Sequence, residues 1–202
     1  MKKYILVPVL AALSFSGMVA QDFDTDPVVN IKNDDVKFTV GARMMADVAY
    51  YHSDFTPVKS GAALTDARIR TSMEYKNWYF YADFDFSKGK FAQKNLFLQY
   101  SMEKDKGTHA FKAGYYNNPA TMANNTSRGS LHFISRAAPV NAMSPGRELG
   151  LSYIFYNNQF LANQGVFAEN MYNDQIAGFQ GVTFGGRWLW RPVNDENNTL
   201  HV

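Results

Sequence analysis

The sequence predicts an all-β fold, an antiparallel transmembrane β-barrel with about eight strands present. Three observations carry that expectation. Apolar and polar residues alternate strictly over runs that outlast a soluble strand, which averages about 5–6 residues. The connections between runs alternate long and short. The aromatic residues gather toward the ends of the runs, as in interfacial girdles. A bilayer core about 30 Å thick takes roughly 9–11 residues of tilted strand to cross. Barrels that cross it have short turns on one side and long loops on the other.

The first run, Val36–Tyr51, sets Val36, Phe38, Val40, Ala42, Met44, Ala46, Val48 and Tyr50 against Lys37, Thr39, Gly41, Arg43, Met45, Asp47, Ala49 and Tyr51. Side chains on a strand point alternately to its two faces, so one face is apolar and the other mixed polar. A long loop, His52–Ala63, leads to a second run over Thr65–Tyr75, with Ala67, Ile69, Thr71, Met73 and Tyr75 opposite Asp66, Arg68, Arg70, Ser72 and Glu74. Lys76-Asn77 reads as a two-residue hairpin turn. The third run, Trp78–Phe86, places Phe80, Ala82 and Phe84 against Tyr79, Tyr81, Asp83 and Asp85, and the fourth, Gln93–Glu103, turns Leu96, Leu98, Tyr100 and Met102 outward. After the short turn Lys104–Gly107 comes the fifth, Thr108–Tyr116.

The longest connection, Asn117–Arg147, follows; loops of that length are usually functional. The sixth run is Glu148–Tyr156, the seventh Gln159–Glu169 and the eighth Gly181–Arg191, ended by Pro192. Asn157-Asn158 is a tight turn and Asn170–Gln180 a long loop. Leu200-His201-Val202 reads as the first residues of a ninth run. An open sheet edge has no water to bond in hydrocarbon, so the chain is expected either to be part of a larger barrel or to close at eight strands.

Met1–Ala20 has the features of a secretory signal: Lys2 and Lys3, an apolar stretch from Ile5 to Phe15, then small residues up to Ala20. Gln21–Asp35 reads as a periplasmic lead-in, and residues 36–202 as a partial barrel domain. The leader holds two of the twenty bases and none of the eighteen acids, so the remainder balances at eighteen of each. That balance argues against a nucleic-acid partner. The chain has no cysteine, which excludes disulfides and thiolate metal sites. No metal-ligand spacing occurs, and no metal or other cofactor is expected.

Strand parity puts Lys37, Arg43, Arg68, Arg70, Lys112, Arg187 and Arg191 on the lumen face, against Asp47, Asp66, Glu74, Asp83 and Asp85. Rings of such charges set selectivity in pores. Arg128, Arg136 and Arg147 add positive charge to the long loop. Guanidinium groups bond phosphate oxygens in pairs, so these residues are candidates for anion binding; the competing role is to brace the wall through cross-strand ion pairs. An outer-membrane hydrolase would need a Ser–His pair held by a third group. Of His52, His109, His132 and His201, only His132 has serines nearby, Ser130 and Ser135, and no catalytic residue is assigned. A small closed eight-stranded structural or adhesive barrel is the remaining alternative, favoured by the aromatic pattern Thr183-x-Gly185-x-x-Trp188-x-Trp190.

From Ala67 to Val193 the chain resembles the phosphate-selective porin O and P family. The resemblance lies in Ala67–Arg70 entering the first tight turn, in Tyr79–Phe86, aromatic and acidic by turns, and in Phe111–Tyr115 running into Asn118-Pro119. Its strongest part is Ser135–Gly150, with Arg136, Pro139, Pro145 and the ending Pro145-Gly146-Arg147-Glu148-Leu149-Gly150; Gly186–Pro192 also fits. The resemblance implies a sixteen-stranded, water-filled outer-membrane porin for passive diffusion of small hydrophilic solutes. It implies a phosphate or other anion preference and a homotrimer in the lipid bilayer. This chain would supply half of the wall, and Asn117–Arg147 would be the constriction loop, with Arg128, Arg136, Pro139, Pro145 and Arg147 in it.

Overall fold

The structure, a computed structural model, describes residues 28–32, 35–52, 59–127, 131, 136–168, 181–195 and 199–200. The expected leader over residues 1–20, Arg128, His132, the loop from residue 170 to 180 and the end of the chain after Leu200 lie outside them.

Nine strands follow one another in a meander: β1 (Val28–Lys32), β2 (Val36–Ala49), β3 (Gly61–Tyr75), β4 (Trp78–Asp85), β5 (Ala92–Lys104), β6 (Gly107–Asn117), β7 (Arg147–Tyr156), β8 (Phe160–Ala168) and β9 (Val182–Trp190). Each is antiparallel to the next, and their order in the sheet is their order in the chain. Two short helices, α1 (Met122–Asn125) and α2 (Ala138–Met143), lie in the long connection between β6 and β7. A two-strand hairpin, β10 (Val193–Asn194) with β11 (Thr199–Leu200), follows the sheet.

The period-2 pattern sets the register. Lys37 faces Glu74, Arg70 faces Asp83 and Tyr81 faces Phe97, so the polar residues of neighbouring strands share one face. Lys76 takes a left-handed φ of 51° in the turn that sets Tyr75 opposite Trp78. Bulges at Met45/Ala46 and Asp83/Phe84 absorb one residue each, so strict alternation holds on either side of them but not across. β1 was not anticipated. It falls in the expected lead-in and pairs with β2, and Thr39 donates to Asn30 at 2.8 Å.

Burial is the reverse of a soluble sheet. Asp66 and Asp83 are 0 % and 1 % exposed on the polar face, whereas Phe184 and Trp188 on the other face are 82 % and 69 % exposed. The long connection accounts for part of this, because it folds back over the polar face. Asn118 donates to Glu148 of β7 and packs on Gly185 of β9, while Ser127 accepts a hydrogen bond from Arg43 of β2.

The sheet is not a closed barrel. β1 and β9 are its two edges, and no pairing joins them among the described residues. This corrects the expected transmembrane barrel, whether as half of sixteen strands or closed at eight. With it go the expectations built on a closed wall: diffusion of solutes through a channel, the bilayer and a homotrimer as partners, and export to the outer membrane. The physical reason is that alternation and loop rhythm specify strands and their faces. Closure requires the first and last edges to pair, which no local pattern encodes.

An arginine-lined cavity on the polar face

Where β2 to β5 meet the long connection, a cavity of about 350 Å³ opens on the polar face. Arg43, Arg68, Arg70, Arg136 and Arg147 line it together with one carboxylate, Asp83. Tyr81, Asn95, Asn117, Asn124, Asn125, Thr126 and Ser127 complete the lining with hydroxyl and amide groups.

A polar relay fixes the arginines across five strands, β2 to β5 and β7. Arg43 grips Asp66 through Nε, at 2.8 Å, and through Nη2. Arg68 Nε donates to the other oxygen of Asp66, and its Nη1 donates to Asp83 Oδ2 at 3.2 Å. Asn95 donates to the same oxygen at 3.2 Å and accepts from Arg147 Nε at 3.1 Å. Two buried carboxylates thus hold three guanidinium groups, directly or through Asn95. Five arginines share this region with the buried carboxylates Asp66 and Asp83. Burial, and then the nearby Arg68 charge, hold the Arg147 guanidinium below its ordinary pKa. A cation so placed gains from an added anion.

The loop arginine Arg136 has a second duty. Its Nε donates to the carbonyl of Ala123 at 2.8 Å and its Nη2 to that of Thr126 at 2.6 Å, satisfying carbonyls in and just after α1. Asn124 and Asn125 tie the same turn to Pro145 and Asn118 through backbone carbonyls. Pro139 is the second residue of α2, where its missing N–H costs nothing, and Pro145 lies just beyond the helix end.

The other candidate residues are scattered. Lys37 pairs with Glu74 at 3.1 Å on an exposed strand end. Lys112 lies over the rings of Phe97 and Tyr116, at 3.7 and 4.3 Å from their centroids. Arg187 is on β9, away from the cavity lining. Arg191 donates to the carbonyl of Asn157 at 2.7 Å and braces that turn. Asn95, Asn124 and Asn125 also line the cavity, and being uncharged they leave no charge pattern in the sequence that points to them. His109 lies 2.6 Å from the Tyr153 hydroxyl.

The chain is thus an antiparallel meander with a polar relay on one face and a long connection folded over that face. Residues 38–202 match the model of the phosphate-selective porin O and P family, and the chain belongs to that family. Neither a curated protein nor a solved structure matches it. Family membership implies a non-catalytic protein.

Proposed function

We propose that the chain binds small oxyanions at the arginine-lined cavity. The supporting observation is the lining itself: five guanidinium groups around about 350 Å³, with one carboxylate among them. Asp66 and Asp83 orient Arg43 and Arg68, and Asn95, Asn124, Asn125 and Thr126 complete the lining with side chains that are themselves fixed by bonds to protein oxygens. Planar forks held in place lose little freedom on binding, so a tetrahedral oxyanion meets a preorganised shell. The proposal is for binding on the face of an open sheet.

Equilibrium dialysis of inorganic phosphate against the full chain, folded in a zwitterionic detergent, tests it. Arg147→Gln keeps a donor to Asn95 but removes the charge, and affinity falls about tenfold or more. Retained affinity in that variant, or no saturable binding by the parent chain, would falsify the proposal.

A further inference from the structure

Arg147 differs from its neighbours in the cavity by what it bonds. Arg43 and Arg68 grip carboxylates, and Arg136 spends its donors on backbone carbonyls. Arg147 bonds an amide: among the described residues its one side-chain hydrogen bond runs from Nε to Asn95 Oδ1 at 3.1 Å. The same amide donates from Nδ2 to Asp83 at 3.2 Å. Asn95 therefore stands between the carboxylate of the cavity lining and a guanidinium bonded to none.

Register puts the amide there. Asp83 faces Asn95, but the next pair is Phe84 with Gln93, so Lys94 is the extra residue of the bulge. Successive side chains of a regular strand point to opposite faces. Here the adjacent Lys94 and Asn95 both reach carboxylates of the polar face, Lys94 that of Asp85 at 3.2 Å and Asn95 that of Asp83. The bulge thus sorts the two residues. The cation goes to Asp85, outside the cavity lining, and the neutral amide goes into the lining. An amide both donates and accepts, so it holds Asp83 and Arg147 at once without cancelling either charge.

We infer that Asn95 sets the anion affinity of the cavity as a positioning residue, fixing the Arg147 guanidinium while leaving its charge for the ligand. The inference rests on the oxyanion reading of the cavity and names the residue on which that affinity turns. An aspartate has the same size and still accepts from Arg147. It also pairs the charge that attracts the anion.

Dialysis of inorganic phosphate against the full chain in the same detergent, with Asn95→Asp and Asn95→Ser beside the parent, separates positioning from bracing. Asn95→Asp keeps the size and the acceptor and adds a charge. Asn95→Ser shortens the side chain, weakens both bonds and adds no charge. Asn95→Asp lowers phosphate affinity about tenfold or more, and Asn95→Ser lowers it about threefold. A residue that only braces the strands gives the opposite order, with the serine variant the weaker binder, and that order overturns the inference. So does parent-like affinity in Asn95→Asp. Should Asn95→Asp lose its far-ultraviolet strand signal through repulsion from Asp83, the exchange of Asp83→Asn with Asn95→Asp carries the test, because it keeps the parent's net charge. The exchanged chain binds phosphate about tenfold or more weakly than the parent. Full affinity in it shows that total charge, not its place, governs the site, which overturns the inference and leaves the oxyanion site standing. No saturable phosphate binding by the parent chain overturns both.

Discussion

Asp66 shows what a single residue does in this sheet. Its carboxylate is fully buried and accepts from Arg43 on one oxygen and Arg68 on the other. Removing one partner of a buried pair leaves the other charge desolvated and unpaired, which costs about 3–5 kcal/mol. Asp66→Ala is therefore expected to lower stability by that amount in denaturant titration. Lys37→Ala, which removes a pair about half exposed on both sides, is expected to cost less than about 1 kcal/mol. Parity along a strand made the Arg43–Asp66–Arg68 grouping legible in the sequence, since all three were assigned to one face. It gave no access to Arg136, whose bonds to backbone carbonyls depend on a loop conformation without periodicity. The seat of Lys112 on two rings depends on which aromatics flank it across β5 and β6, which strand parity does not specify.

Among the elements, β6 holds the glycine with the closest backbone approach among the described residues. Gly114 has a φ of 138°, and a Cβ there would lie 2.2 Å from the Leu96 carbonyl oxygen and 2.6 Å from Phe97 Cα. Backbone cannot yield as a flexible side chain can. Gly114→Ala is expected to cost about 3 kcal/mol or more and to displace Phe97, which proteolysis and denaturant midpoints would register. A midpoint equal to that of the parent would show that β5 and β6 separate more readily than their register implies. Eight of the nine strands were legible from period-2 alternation, with ends shifted by a few residues. β1 was missed because Val28–Lys32 is short, starts with two adjacent valines and sits among Asp and Asn. α1 and α2, at four and six residues, are too short to show a helical period.

In the whole molecule the dominant fact is an open sheet with a bare apolar face. Val182, Phe184 and Trp188 stand 54 %, 82 % and 69 % exposed on the edge strand β9. Edge backbone groups and exposed apolar side chains together template association. Val182→Lys with Phe184→Lys is expected to reduce light scattering on dilution out of denaturant; unchanged scattering would place the association elsewhere. Sequence alone could not reveal this openness, because joining β1 to β9 is a matter of the most distant pairing in the sheet. The same distance has a kinetic meaning at the cavity. The hydrogen bond from Arg43 to Ser127 closes a span of 84 positions, whereas every strand pairing needs only a neighbour. Contacts of long sequence separation form late, after shorter closures have taken up the loop entropy. During refolding, the arginines of β2 and β3 are thus laid out before their cover arrives, and the cavity is finished only after the strands that floor it.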